Sequence, residues 1–253
     1  MTVLLALDSS TDTMAIALLC DAGLGVFEGA AGAQSSARMV PEAMALLTEA
    51  GLQLADVDAI AFGAGPGAFT GLRTACAVAQ GLALGAGKPV LAVDSLMLVA
   101  EDARQQAEAA GEAPPETIWV AMDARMDEIY AASYRWQQGR WQCGEAPALY
   151  SAAALREHWQ GEPEAVAGSA LGVFDLGLQQ ARRWPQPASR ARALAALAAQ
   201  LHGQGLAMDA AEAMPVYVRD KVAQTTAERQ ALQAAKASGP SPNPMPEQGA
   251  RAV

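Results

Sequence analysis

Between residues 57 and 84 the chain passes from an apolar run, Val57 to Ala64, through Gly63-Ala64-Gly65-Pro66-Gly67-Ala68-Phe69-Thr70-Gly71 into a helix-forming stretch from Leu72 to about Leu84. The apolar run reads as a strand and the stretch after the glycines as a helix, so the loop is a strand-to-helix connection. Gly65 and Gly67 open backbone conformations closed to other residues, and Pro66 stiffens the turn. The loop ends at a helix N-terminus, where free N–H groups and the helix dipole attract anions. It contains neither GxGxxG nor GK[ST], so the common nucleotide motifs do not describe it. On spacing alone, Thr70, Gly71 and Arg73 belong either to an anion cradle or to a tight strand-to-helix connection with Arg73 in solvent.

The N-terminus offers a second candidate. Val3-Leu4-Leu5-Ala6-Leu7 is the continuous apolar run of a central strand covered on both faces. Asp8-Ser9-Ser10-Thr11-Asp12 is a polar turn, Met14 to Cys20 a second apolar run, and Val26 to Gly29 a third possible strand. This hairpin puts Asp8 to Thr13 at a sheet edge or end. In a phosphate-binding turn, N–H groups and hydroxyls such as those of Ser9, Ser10 and Thr11 hold phosphate oxygens while a carboxylate orients Mg²⁺ or water. The same residues can also do no more than close a hairpin.

Ser35 or Ser36 can cap a helix reaching Ala50, with Met39, Val40, Ala43, Met44 and Leu47 at helical spacing and Arg38, Glu42 and Glu49 off that stripe. The helix after the glycine loop carries Ala75, Cys76, Ala77, Val78 and Ala79 and is apolar all round, so it is either deeply buried or shared with a partner. Val90 to Val93 reads as a strand, and Asp94 or Ser95 caps a helix ending near Ala110. Gly111 to Glu116, with two prolines, marks a lobe boundary. Thr117 to Met122, Glu128 to Trp136 and Arg140 to Cys143 form a small strand set, followed by a short helix from Ser151 to Trp159 and a strand from Glu164 to Ala167. Ala188 to Gly203 is an alanine-leucine helix and Val216 to Arg219 is extended. From Ala237 onward four prolines alternate with small and polar residues, a composition that builds no core and predicts a disordered tail.

Composition excludes several function classes. With 17 basic and 27 acidic residues the formal charge is −10, which argues against a chain that grips RNA phosphates by itself. The histidines, His158 and His202, stand far apart, so no pair a helical turn apart is available for a catalytic zinc. No GxSxG is present for a serine nucleophile. Cys20, Cys76 and Cys143 are odd in number and dispersed, as in a reducing compartment. No apolar run reaches the ~18 residues of a membrane span, and the short apolar N-terminus has no basic flank. A cytoplasmic protein is expected. Asp123-Ala124-Arg125-Met126-Asp127-Glu128 is a charged turn that forms local ion pairs or a binding edge.

Five segments together carry a resemblance: LLALDSST, GAGPGAFTGLR, KPVLAVDSL, AMDARMDEIYAA and MPVYVRDKVAQTTAE. In order and rough spacing, over about residues 1–229, the chain resembles the TsaB (YeaZ) family of tRNA threonylcarbamoyladenosine biosynthesis, a paralogue of TsaD. The resemblance implies an α/β fold of two actin-like lobes (ASKHA, ribonuclease H-like), with mixed sheets flanked by helices. Residues 1–100 would form the first lobe, with the helix near 188–203 packing back on it, and 101–187 a smaller second lobe. Residues 188–236 would supply a C-terminal helix and extended segment, and 237–253 the tail.

The resemblance also implies a subunit with no catalytic residues and no metal site. Where TsaD carries an HxxxH helix, this chain has Gln34-Ser35-Ser36-Ala37-Arg38 before Met39-Val40-Pro41. Asp8, Ser9, Ser10, Thr11, Gly65, Gly67, Thr70 and Gly71 would then be a degenerate nucleotide site, with ATP and a metal used by partner subunits and no cofactor held here. The implied partners are TsaD in a heterodimer and TsaE, with a homodimer when TsaD is absent and tRNA contacted only indirectly. The contact surface is expected on the two apolar helices, through Arg38, Met39, Val40, Ala43, Met44, Leu47, Leu72, Arg73, Ala75, Cys76 and Ala79. The complex would transfer threonylcarbamoyl from its AMP adduct to N6 of the adenosine beside the anticodon. The rival readings are an active ATP-dependent kinase or hydrolase of the same fold, a metallopeptidase, against which the missing histidine pair speaks, and a scaffold unrelated to tRNA.

Overall fold

A computed structural model describes residues 2–32 and 35–219. The chain divides into two units after Val218, and the architecture below is that of the first. Gln34 and the tail expected at 237–253 lie outside the described residues.

Strand β1 (Leu4–Asp8) is buried along its whole length. It pairs antiparallel with β2 (Thr13–Cys20), from Leu4 opposite Leu19 to Asp8 opposite Ala15. β2 pairs antiparallel with β3 (Gly23–Ala30), so the third strand is longer than Val26 to Gly29. On its other side β1 runs parallel to β4 (Ala59–Gly65), which is parallel to β5 (Val90–Asp94). The order is β3-β2-β1-β4-β5, so the Asp8–Thr13 turn lies at the end of the sheet and not at its edge.

The period of two along these strands separates two chemically different faces. Leu5, Leu7, Met14, Ile16, Leu18, Ile60 and Phe62 point to one side, where α1 (Ser35–Glu49) and α2 (Phe69–Ala86) cover them. Leu4 and the small residues Ala6, Ala15, Ala17, Ala59 and Ala61 point to the other. Alanines on the sheet meet Ala191, Leu194, Ala195 and Ala198 of α5 (Arg190–Gly203), and the absence of bulk on both sides lets helix and sheet approach closely. That is the packing use of so much alanine.

The second sheet contains β6 (Thr117–Asp123), β7 (Ile129–Gln137), β8 (Arg140–Tyr150), β9 (Ala165–Ala167) and β10 (Arg182–Trp184), in the order β10-β9-β6-β7-β8. The pairs β6–β7 and β7–β8 are antiparallel, while β6–β9 and β9–β10 are parallel. Strand for strand this repeats the first sheet: a three-stranded meander followed by two parallel strands on the free side of its first member. The α/β architecture with two mixed sheets is the expected fold class. β10 has no counterpart in the sequence reading, because a three-residue Arg-Arg-Trp segment carries no alternation.

Helix α3 (Ser95–Ala109) lies between the sheets, its Leu96, Leu98, Ala100 and Ala103 sharing a core with Ile118, Val120, Ala132 and Tyr134. The helix that spans residues 100 and 101 is thus common to both sheets, and the proline-containing segment 111–116 lies between it and β6. Asp94 accepts the N–H groups of Leu96 (2.8 Å) and Met97 (3.3 Å) as the helix cap, and its other carboxylate oxygen accepts the Tyr134 hydroxyl at 2.6 Å. Burial and the adjacent Asp94 charge both push the Tyr134 phenol up, and burial raises the Asp94 carboxyl against the opposing pull of its hydrogen bonds. The outer face of the second sheet is closed by α4 (Ala152–Trp159), whose Leu155 packs on Ala121, Ile129 and Val166.

Candidate functional site

β1 delivers Asp8, Ser9 and Ser10 to the end of the first sheet, and all three are buried. Asp8 Oδ1 accepts the Ser10 N–H at 3.3 Å, and Oδ2 accepts the Ser10 hydroxyl at 3.1 Å. A third donor comes from far along the chain: Arg190 Nη2 reaches Asp8 Oδ2 at 2.8 Å and Ser10 Oγ at 3.0 Å. The ion pair is almost solvent-free, with side-chain exposures of 3% for Arg190 and 0% for Asp8. A buried charge left alone costs several kcal/mol, so each partner makes the other tolerable.

Arg190 is the first residue of α5, and the start of that helix is held from three sides. Ser189 caps it by accepting the Arg192 N–H at 3.3 Å. Asp102 on α3 accepts the N–H groups of Ala188 (3.0 Å) and Ser189 (2.8 Å), while Glu28 on β3 accepts the Ala191 N–H and the Ser189 hydroxyl at 2.8 and 2.9 Å. Carboxylates at a helix N-terminus satisfy its orphan donors and its dipole together. The guanidinium is therefore aimed by its backbone, and it keeps its place although its Nε is buried without a partner. Sequence reasoning missed Arg190. The available signal was an arginine in phase with Leu194, Leu197 and Ala198 on an apolar helical stripe, which obliges a buried counter-charge.

The glycine loop closes directly on the first turn. Ser10 O accepts the Ala68 N–H at 2.7 Å, and the Ser9 hydroxyl donates to Gly71 O at 2.8 Å. A Cβ at Gly71 would stand 1.7 Å from Ser9 O, and one at Gly67 2.5 Å from Ser10 O. Of the two glycines expected to serve backbone freedom, Gly65 does so, with φ at +119°. Gly67 is absent from the positive-φ residues and is needed for close approach instead. The structure brings Asp8, Ser9, Ser10, Gly67 and Gly71 together. Thr11 folds back on its own turn, where its Oγ1 accepts the Thr13 N–H at 3.2 Å, and Thr70 is exposed.

The helical candidates need correction. Met39, Ala43 and Leu47 of α1, and Leu72, Ala75, Cys76 and Ala79 of α2, are buried in the chain's own core. The stripe with the strongest helical period is the one the first sheet consumes, so it leaves nothing for a partner. Arg38, Val40, Met44 and Arg73 keep solvent contact, as do Ala77 and Leu84, the last 58% exposed. Arg73 stacks on Phe69 with its guanidinium carbon 3.8 Å from the ring centre and donates to the Tyr217 hydroxyl at 3.0 Å. The segment before Tyr217 is tied down as well, through Val216 N–H to Ala64 O at 2.7 Å and Gln80 to Ala210 O at 3.0 Å.

The charged turn of the second sheet follows β6 as the first turn follows β1. Asp123 ends β6 as Asp8 ends β1, and accepts the Arg125 N–H at 2.8 Å. Arg125 reaches Asp123 at 3.3 Å, a local ion pair of the expected kind, and also Asp12 of the first turn at 3.3 Å, a pair distant in sequence. Among the described residues no three His, Cys, Asp or Glu side chains converge as metal ligands. No described helix is long and apolar enough to cross a membrane.

Comparison with known proteins points one way. The family model described as TsaD: tRNA N6-adenosine threonylcarbamoyltransferase matches residues 13–228. The chain is 32% identical over 227 residues to the tRNA threonylcarbamoyladenosine biosynthesis protein TsaB of Escherichia coli, covering 87% of this chain and 96% of that one. It is 40% identical over 127 residues to the TsaB of Haemophilus influenzae, covering 50% and 51%. Among solved structures, YeaZ from Pseudomonas aeruginosa superimposes with a TM-score of 0.75 at 35% identity, over 86% of this chain and all of that one.

Proposed function

The chain belongs to the TsaB (YeaZ) family, and from that membership we propose that it is the non-catalytic partner subunit of a tRNA threonylcarbamoyl transferase. The relatives' role in tRNA threonylcarbamoyladenosine biosynthesis supplies the process. The site supplies the division of labour. A transferase subunit that did the chemistry would need a free acid, base, nucleophile or cation at the mouth of its fold. Asp8 stands where such a group belongs, and both of its oxygens are already used within the chain by Ser10 and Arg190. This closed carboxylate is the observation that carries the reading.

On this reading the chemistry, with its ATP and metal, resides in TsaD and TsaE, and this chain works by association in the cytoplasm. The outward sides of α1 and α2, with Arg38, Val40, Met44 and Arg73, form the contact with TsaD, and the same surface supports a homodimer when TsaD is absent. Met44, 36% exposed, gives that surface an adaptable apolar side chain. A stable contact buries at least ~1,200 Å² in total. The net charge of −10 favours an indirect relation to tRNA, through the partner.

A reconstituted modification assay tests the proposal, with this chain, TsaD, TsaE, threonylcarbamoyl-AMP and unmodified tRNA, omitting one protein at a time. Product that requires this chain, together with none from the chain alone, is the expected result. Undiminished product without it, or product from it alone, defeats the assignment.

A further inference from the structure

In the actin-like ATPases that the fold resembles, the carboxylate of the first turn orients Mg²⁺ and the two loops hold phosphate oxygens. The residues present here do not fit such a ligand. Asp8 Oδ2 is taken by the Arg190 guanidinium and the Ser10 hydroxyl. Oδ1 takes the Ser10 N–H and faces the backbone of Gly63, where even a Cβ would come within 1.9 Å. The two loops spend donors on one another, Ala68 N–H on Ser10 O and the Ser9 hydroxyl on Gly71 O. Their backbones touch so closely that glycine is required at 67 and 71.

Arg190 reaches this place from outside both loops, 182 residues from Asp8 in sequence, on a helix end fixed by Asp102 and Glu28. A guanidinium cannot lose its proton in a protein and is weakly hydrated, which suits it to lasting compensation of a buried carboxylate. We propose that Arg190 is a built-in substitute for the divalent cation of the first loop. It holds Asp8 neutralised and the loops shut, so that the chain excludes Mg-nucleotide, and its removal uncovers a latent divalent-cation site at Asp8. The proposal deepens the partner-subunit reading and rests on it only in treating the nucleotide site as out of use.

Charge and volume both favour a cation in the place of the guanidinium. Truncating Arg190 leaves an uncompensated buried carboxylate beside a space the size of a guanidinium. A small hard cation with its water ligands answers both deficits, since carboxylate and hydroxyl oxygens are the ligands that Mg²⁺ and Mn²⁺ prefer. Ser10 Oγ and Asp8 Oδ2, 3.1 Å apart and both released from Arg190, would supply the protein ligands.

The test uses the whole isolated chain, Arg190→Ala, and the double variant Asp8→Asn with Arg190→Ala. Each is titrated with MnCl₂, following the free-Mn²⁺ electron paramagnetic resonance signal and thermal unfolding, and the parent is also titrated with Mg-ATP by calorimetry. The parent should bind neither Mn²⁺ at this site nor Mg-ATP. Arg190→Ala should melt ~10 °C lower, bind one Mn²⁺ and regain ~3–10 °C with it, while the double variant should not respond. Should Arg190→Ala fold only when refolded with Mn²⁺, that too supports the proposal. Insolubility with and without the ion overturns it, as does an Arg190→Ala protein indifferent to Mn²⁺, or a parent that binds Mg-ATP and loses the binding on Asp8→Asn. The last outcome would leave the omission assay free to uphold or defeat the partner role by itself.

Discussion

The two halves of this molecule have the same strand topology and treat the same residue in opposite ways. Each sheet begins with a strand that ends in aspartate, Asp8 in the first and Asp123 in the second, followed by a turn into an antiparallel partner. A glycine with φ near +120° occurs at the C-terminal end of the fourth strand of each sheet: Gly65 (+119°), the last residue of β4, and Gly168 (+121°), the first after β9. In the first half the aspartate is sealed and paired with an arginine delivered from a remote helix at 2.8 Å. In the second it pairs at 3.3 Å with Arg125 of its own turn, whose side chain is 71% exposed. The backbone there passes through three consecutive non-glycine residues at positive φ: Arg125, Met126 and Asp127. A shared topology therefore fixes where a carboxylate appears, and the covering elements decide whether its arginine partner is sealed, as Arg190 is, or exposed, as Arg125 is beside an Asp123 side chain that is itself 14% exposed.

The largest expected effect tests the sealed half. Arg190→Ala or Asp8→Ala alone should cost ~3–5 kcal/mol in urea unfolding, since each strands a buried charge or donor set. Asp8→Ala combined with Arg190→Ala should cost ~2 kcal/mol less than the sum of the two single changes, the coupling read from a double-variant cycle. Strictly additive costs would mean that the two groups are not acting as a pair, and the contrast between the halves would collapse.

A middle-sized effect sharpens the contrast at the loops. Gly71→Ala places a methyl 1.7 Å from backbone Ser9 O, and neither loop can yield without losing the Ala68–Ser10 and Ser9–Gly71 hydrogen bonds. Its cost should be ~1–3 kcal/mol by thermal or urea unfolding. Gly81→Ala, on the exposed side of α2 with nothing within 4 Å of the new methyl, should instead stabilise by ~0.5–1 kcal/mol. Equal responses at the two positions would show that the loops are only loosely apposed.

What the sequence disclosed follows from the range over which each signal acts. Strands and helices were legible because their patterns are local: the run of Leu4 to Leu7, the cap at Asp94 and the alanine phase of α5 all sit within one element. The first turn and glycine loop were recognised as a pair of candidate segments, and the structure places Ser9 and Ser10 against Gly71 and Gly67. The side chain that decides their chemistry was not legible, because nothing near Asp8 in sequence announces Arg190. The helical faces misled for a physical reason. Period alone reports that Met39, Ala43, Leu47, Ala75 and Ala79 are buried, and it is silent on whether a sheet of the same chain or a partner buries them.

The smallest effect is expected where the second half keeps its arginine in water. Arg125 pairs across 3.3 Å with Asp12, 92% exposed, and with Asp123, 14% exposed, and its own 71% exposure keeps its charge in a high dielectric that salt screens. Arg125→Ala should therefore change unfolding free energy by no more than ~0.5 kcal/mol, an effect that shrinks as ionic strength rises. The same substitution type at Arg190 should be insensitive to salt, because counter-ions do not reach a pair with 3% and 0% exposure. Two arginine-to-alanine changes, measured side by side at low and high salt, thus separate the halves by both size and screening. A large, salt-resistant loss at Arg125 would place its turn among the structural elements, and the exposed half would then depend on its ion pair no less than the sealed half does.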